Sequence, residues 1–330
     1  MNETDYKKKL VEISEKIENS NMTENEKMEL MFSIFDKHIN LMITGGTGCG
    51  KSSTINALFN ADKAKVGTGS DPETMSITKY QMKSLTIWDT PGLGDGSKDD
   101  MHKKNIIEML CKKDGNGDPL IDLVLVIVDG SSKDMGSDYE LINNVLIPYL
   151  GKDSYKRIII AINKADAAMS GRHWNYEKNI PDQELTKFLD DKTASVRSRI
   201  KESTGVDVET IYYSAGYKEN EKTAQEPAYN LSCLLAHILR FTPKEKRIAY
   251  AINLTKIADN FKRNDEKSDY NKHIKSSFGE AFTDFLKNCV LEGECKGGNF
   301  GVPGEIVGKA VGAVVGVFGG FFKGVFSLFK

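Results

Sequence analysis

The sequence predicts an α/β fold, a three-layer sandwich with a mostly parallel sheet, preceded by N-terminal helices and followed by a helical C-terminal extension. Three observations point to it. From about 38 to 245, short apolar runs alternate with stretches of helical period, the pattern of strands joined by crossover helices. The run Leu123-Val124-Leu125-Val126-Ile127-Val128 does not alternate, as expected of a strand covered on both faces. Finally, Gly45-Gly46-Thr47-Gly48-Cys49-Gly50-Lys51-Ser52 lies between the apolar run Ile39 to Ile43 and the helical stretch Ser53 to Phe59.

Four segments follow from the pattern. Residues 1–37 are charged and helical in period, with Leu10, Ile13 and Ile17 on one stripe and Met28, Met31 and Phe35 on another. Thr23-Glu24-Asn25-Glu26 fits a capping box that opens the second of these helices. Residues 38–245 form the sheet domain, with strands expected at Ile39 to Thr44, Leu85 to Asp89, Ile121 to Asp129, Arg157 to Asn163 and Thr210 to Ser214. Pro243 punctuates the chain, and 246–300 reads as a helical extension of two helices ending in a Gly-rich hinge from Gly293 to Gly304. Residues 301–330 are an apolar tail with glycine at every fourth position from Gly304 to Gly324.

Bulk composition narrows the function classes. The 330 residues carry 39% hydrophobic and 28% charged side chains, enough for one full α/β domain and a smaller module. A formal net charge of −2 supplies no basic surplus for a broad nucleic-acid face. The five cysteines are scattered and match neither a disulfide framework nor zinc-ligand spacing, so a reducing, cytoplasmic setting is expected. The opening Met1-Asn2-Glu3-Thr4-Asp5 is polar and acidic, unlike a secretory leader.

The eight residues Gly45 to Ser52 spell G-x-x-x-x-G-K-[ST], the phosphate-binding loop of P-loop NTPases. Backbone N–H groups of Gly45, Gly46, Thr47, Gly48, Cys49 and Gly50 would curl around phosphate oxygens, with the N-terminus of the following helix, Ser53 included, adding positive potential. Lys51 would reach the β- and γ-phosphates and Ser52 would ligate Mg²⁺. Leu85 to Gly92 is an apolar strand ending in D-x-x-G, where Asp89 would hold Mg²⁺ through water and the Gly92 N–H would sense the γ-phosphate. Asn163-Lys164-Ala165-Asp166 is N-K-x-D, whose Asp166 can accept from guanine N1–H and the exocyclic amine, groups adenine does not present in that arrangement. Lys164 would pack along the base and Asn163 would tie this loop to the phosphate loop. Ser214-Ala215 follows a further strand, and the Ala215 N–H is a donor for guanine O6. The loop from Val66 to Ser76 would supply a threonine to the Mg²⁺ shell, Thr74 first and Thr78 second.

These motifs, in this order, resemble the translation-factor class of P-loop GTPases and, within it, the Era/TrmE/septin-like branch. The stretch Asn163 to Trp174, with Gly171-Arg172-His173-Trp174, resembles the YfjP-type subgroup labelled "large-subunit ribosome-binding GTPase". The resemblance covers about 38 to 245 and implies Mg²⁺-dependent binding of GTP and GDP with slow hydrolysis. Leu93 stands where Ras-like proteins place a water-orienting glutamine, and Gly48 where some relatives place a potassium-binding asparagine. Thr47-Gly48 matches relatives that pair their G domains across the nucleotide, so a homodimer is an expected partner arrangement. His102, Arg172 and His173 are the basic or imidazole groups near it.

The tail from Ile306 to Phe329 would span ~36 Å as a helix, formally enough to cross a bilayer. Lys309, Lys323 and Lys330 fall on the side of Gly312, Gly316 and Gly320, while Val and Phe fill the other side, which favours an interfacial helix over a spanning one. A membrane surface contacted through 304–330, at the inner face of the membrane, is the first expectation, with a glycine-mediated hairpin inserted into the bilayer and a cap folded back onto the sheet domain as the competing readings. The leading expectation is a GTP-hydrolysing switch. A ribosome-assembly GTPase binding rRNA and a membrane-acting effector controlled by nucleotide are the alternatives, and an ATPase would require Asn163 to Asp166 to be a coincidence.

Overall fold

The structure, a computed structural model, describes residues 21, 23, 38–59, 65–68, 77–92, 99–216, 227–294, 316, 317 and 319–330. The expected N-terminal helices of 1–37, Thr74, Leu93 and most of the hinge and tail before 316 lie outside the described residues.

The strands are β1 (Ile39–Gly45), β2 (Lys65–Thr68), β3 (Thr78–Gln81), β4 (Leu85–Asp89), β5 (Leu123–Asp129), β6 (Ile158–Asn163), the short β7 (Trp174–Asn175) and β8 (Ile180–Pro181), and β9 (Glu209–Tyr212). The helices are α1 (Lys51–Leu58), α2 (Asp99–Cys111) and α3, which runs through Gly136–Leu141, a π turn at Ile142–Leu146, and Ile147–Leu150. Then come α4 (Gln183–Thr204), α5 (Leu231–Arg240), α6 (Ile248–Asn253), α7 (Tyr270–Glu294) and a tail helix at 319–327.

A seven-stranded sheet has the order β2-β3-β4-β1-β5-β6-β9. Pairing is parallel from β4 through β9 and antiparallel where β3 meets β2 and β4. Each expected strand appears within three residues of its anticipated ends. In the β2–β3 edge, β2 overlaps the loop expected from Val66 to Ser76, and β3 lies beyond that loop and outside the expected strands. Its β3 half, Thr78-Lys79-Tyr80-Gln81, is polar and only half-buried, so it carries none of the apolar signal of a central strand. The 246–300 region holds α6 and α7, as the two expected helices, and α7 continues through Gly293, where the hinge was expected to begin.

The parallel strands alternate between two cores. Ile39, Leu41 and Ile43 of β1 join Leu123, Leu125 and Ile127 of β5 in a cluster completed by α1, α5, α6, α7 and the tail helix. Met42, Val124, Val126 and Val128 face the opposite cluster, completed by α2, α3 and α4. Helices thus cover both faces, which is why the β5 run is apolar at consecutive positions.

The tail helix packs as a cap on the first cluster. Phe329 meets Phe261 with ring centroids 5.0 Å apart, and Phe322 meets Phe282 at 5.4 Å and Phe278 at 6.3 Å. Val317, Phe321 and Val325 are buried in the same cluster, while Gly316, Gly320, Lys323, Gly324 and Lys330 are exposed. The Val/Phe side therefore sits in the domain's own core, and the glycine and lysine side faces outward. No helix among the described residues is long and apolar enough to cross a membrane.

Truncating Phe322 would leave a cavity between α7 and the tail helix. Phe322→Ala is expected to lower unfolding free energy by about 3–5 kcal/mol, read from the midpoint of urea denaturation; a shift under about 1 kcal/mol would mean that the tail is not docked.

Candidate nucleotide-binding site

All the motif residues sit where the parallel strands end. β1 ends at Gly45 and leads into the loop that opens α1, β4 ends at Asp89, β5 at Asp129 and β6 at Asn163, while Ser214 lies just past β9. In open α/β sheets such a row of carboxyl ends, flanking a strand where the connection order reverses, is the ligand crevice. Here the reversal is at β1, which lies between β4 and β5.

The loop is shaped by close approaches. Gly50 caps α1 in the left-handed region at φ 97°, and a Cβ there would lie 2.2 Å from the Asn163 side-chain nitrogen. A Cβ on Gly92 would fall 2.4 Å from the Thr47 hydroxyl, so the D-x-x-G turn lies directly on the phosphate loop. Lys51 curls back over that loop, donating from Nζ to the carbonyls of Gly46 at 3.0 Å and Gly45 at 3.2 Å. Ser52 is exposed at the start of α1. Thr54 donates to the Gly50 carbonyl at 2.8 Å and shares a hydrogen bond with the buried Tyr213 hydroxyl at 2.5 Å, which ties α1 to the segment after β9. Burial lifts the Cys49 thiol to about 11, so this loop cysteine stays protonated.

Thr90 holds the D-x-x-G segment to β1, its N–H donating to the Ile43 carbonyl at 3.0 Å and its hydroxyl to Thr44 at 2.9 Å. Asp89 Oδ1 is buried with no hydrogen-bond partner. Burial raises the Asp89 carboxyl to about 6, an effect that the charge of Lys51 opposes. An orphaned buried carboxylate oxygen on the strand beside the phosphate loop fits a water-coordinated Mg²⁺.

The far end of the crevice is organised by Asn163. Its Nδ2 donates to the Cys49 carbonyl at 2.9 Å, and its Oδ1 accepts the Ala215 N–H at 3.0 Å. Asp166 accepts from the Ser214 hydroxyl at 2.5 Å. Lys164 turns the chain at φ 61° and donates to Asp129 Oδ2 at 2.6 Å. Burial works to raise the Asp129 carboxyl, but the bonds from Lys164 and Ser131 outweigh it and hold the group below its usual range.

Gly45 to Ser53, Asp89, Gly92, Asn163, Lys164, Asp166, Ser214 and Ala215 thus lie along one rim. Thr78, the second-choice threonine, is half-buried on β3, paired in register with Asp89. The three groups considered for action across a dimer differ in their surroundings, and His102 Nδ1 is buried without a hydrogen-bond partner. His102 is buried on α2, His173 bonds Asp182 at 2.8 Å, and Arg172 bonds the Met169 carbonyl at 3.2 Å. Trp174 packs edge-on against Tyr229 at 5.3 Å, not against His173. An acid that no motif flags, Asp129, joins the site through Lys164. A separate cavity of ≈ 1300 Å³, lined by His38, Asp122, Arg157 and Lys246 among others, contains none of these motif residues.

Residues 40–164 match the family model described as "50S ribosome-binding GTPase". The chain carries a P-loop GTPase domain. The chain is similar to GTPase Der of Chloroflexus aurantiacus, 26% identical over 161 residues that make up 47% of this chain and 33% of that protein. It is also similar to translocase of chloroplast 101 of Physcomitrium patens, 28% identical over 152 residues, 44% of this chain and 16% of that one. Among solved structures, the LeoA bacterial dynamin GTPase from ETEC aligns at 16% identity and TM-score 0.40 over 86% of this chain and 45% of its own. The chain spans a third or less of the length of these two curated relatives.

Ionising Asp89 inside the fold costs stability. Its folded titration lies above the unfolded value of about 3.9, so the cost is absent in acid, grows as pH rises to about 6 and is constant above that. Asp89→Asn is therefore expected to stabilise the ligand-free protein at about pH 8 by up to about 3 kcal/mol and not at about pH 4. The same variant should lose the tightening of nucleotide binding by Mg²⁺. Thermal melts at the two pH values, with a titration of nucleotide with and without Mg²⁺, check both.

Proposed function

We propose that this chain is a guanine-nucleotide switch that binds GTP and GDP with Mg²⁺ and hydrolyses GTP slowly. The observation that carries the reading is the Asn163 side chain, which joins the phosphate loop at Cys49 to the base-reading loop at Ala215. Gly45 to Ser53 would cradle the phosphates, with the Lys51 ammonium, two of its donors already fixed on carbonyls, presenting its remaining donor to the β- and γ-oxygens. Ser52, Asp89 and Thr74 would hold Mg²⁺, which when bound neutralises charge on those oxygens. Gly92, which lies so close to Thr47 that a Cβ would clash with it, would sense the γ-phosphate through its N–H. Asp166, oriented by Ser214, would accept from guanine N1–H and the amine, and Lys164, anchored on Asp129, would lie along the base. Ala215 offers its N–H to O6 in a bond shared with Asn163.

Slow turnover follows from Leu93 and Gly48, which supply neither a glutamine nor an asparagine to position the attacking water. Thr47-Gly48 supports completion of the site by a second copy across the nucleotide. The Gly171-Arg172-His173-Trp174 stretch supports placement in the YfjP-type subgroup of the Era/TrmE/septin-like branch. A cytoplasmic setting is proposed, with membrane contact through 304–330 limited to states in which the tail helix leaves its seat, since its Val/Phe side is buried.

Titration with GTP and ATP is the test. Preference for GTP that Asp166→Ala lowers on the order of a hundredfold is expected, and preference for ATP would overturn the assignment. In the same preparation, specific turnover should rise with protein concentration; a flat dependence would contradict the dimer.

A further inference from the structure

Two buried hydroxyls beside the phosphate loop belong to no nucleotide motif. Tyr213 and Thr54 are both fully buried, and their hydroxyl oxygens lie 2.5 Å apart, joining positions 159 residues apart in sequence. A threonine hydroxyl has one proton, and Thr54 places it on the Gly50 carbonyl at 2.8 Å. Tyr213 is therefore the donor in the bond the two share, and a relay runs from the Tyr213 O–H through Thr54 to Gly50 O. The same carbonyl accepts the Thr54 N–H at 3.0 Å. Burial pushes the Tyr213 phenol above its ordinary range, so it keeps the proton that the relay needs.

The main chain of Tyr213 serves the other loop. Its N–H donates to the Ile162 carbonyl at 2.8 Å, and its carbonyl accepts the N–H of Ala165, inside the N-K-x-D loop, at 3.1 Å. One residue is thus bonded to the base-reading loop by its backbone and to the phosphate loop by its side chain. The carbonyl it reaches through Thr54 is the neighbour of the Cys49 carbonyl, which Asn163 holds at 2.9 Å. In a trans peptide the N–H points away from the C=O. Holding Gly50 O toward Thr54 therefore turns the Lys51 N–H away from Thr54, and as the first residue of α1 Lys51 has no carbonyl within the helix to accept it. We propose that Tyr213 is a positioning residue for phosphate binding, which acts through Thr54 to hold the Gly50–Lys51 peptide with its N–H toward the phosphate cradle. The proposal rests on the nucleotide reading of the site and adds to it a residue that reaches the nucleotide only through others. A phenylalanine would fill the same space in the core, so packing alone does not call for the hydroxyl.

The test measures the affinity of the full chain for GDP and for GMP, each with Mg²⁺, in competition with a fluorescent GDP analogue. The variants are Tyr213→Phe, Thr54→Val, Thr54→Ser and the double variant carrying Tyr213→Phe and Thr54→Val. GMP ends before the phosphates that Lys51 would reach, so it reports the base and the general integrity of the fold. Tyr213→Phe is expected to bind GDP about fivefold more weakly, and Thr54→Val about tenfold, with GMP affinity within about twofold of native in both. Thr54→Ser keeps the hydroxyl and should bind GDP as the native chain does. Because Tyr213 acts through Thr54, the double variant should bind GDP no more weakly than Thr54→Val alone. Native GDP affinity in Tyr213→Phe, equal losses for GDP and GMP, or losses that add in the double variant would overturn the proposal and leave the nucleotide reading standing. A native chain that bound no GDP would overturn both.

Discussion

Asn163 is the side chain on which the crevice depends. It stands at the end of β6, buried, and uses both halves of its amide across the site: the nitrogen on the Cys49 carbonyl and the oxygen on the Ala215 N–H. An amide is the side chain suited to this role, because it donates and accepts from adjacent atoms without charge. Three loops that leave β1, β6 and β9 are separated by 114 and 52 residues in sequence at these two bonds. Each loop alone is a short irregular segment, and the two bonds make them one surface. Gly50 is glycine for the same reason, since any larger residue would displace the amide nitrogen.

Around this neutral clamp the site holds charge at some expense in stability. Asp89 and Asp138 are both buried enough for their carboxyls to titrate near 6, and Asp89 keeps an oxygen without a protein partner. Lys51 opposes both shifts, and it is itself directed by carbonyls of the loop it crosses. An arrangement of this kind is under-satisfied without ligand and improved by one. A cation would relieve Asp89, whose Oδ1 has no protein partner. Asp129 is the contrast, because Lys164 and Ser131 already satisfy it and its carboxyl is held low.

The phosphate loop, the D-x-x-G turn and the N-K-x-D loop were legible in sequence because each follows an apolar strand, and backbone-shaped sites leave glycine and lysine at fixed spacing. Both strand faces being covered made β5 legible as well. Less was legible where the signal is polar or distant. The β3 edge carries Thr, Lys, Tyr and Gln, half-buried, and so resembles a loop. Asp129 is a single acid whose partner, Lys164, is brought to it only by the sheet order. For the described end of the tail, Phe322, Val325 and Phe329 lie on the buried side and glycine and lysine on the exposed side, as the wheel predicts, but periodicity does not distinguish a face meant for lipid from one meant for Phe261 and Phe278.

The claim that Asn163 makes one unit of three loops is tested most directly by amide hydrogen exchange on ligand-free Asn163→Ala. The account predicts faster exchange in the Gly46 to Ser52 loop and at Ala215 and Gly216 together, with the β5 and β6 amides unchanged. Faster exchange confined to the residues beside position 163, with the phosphate loop as protected as in the native chain, would contradict it.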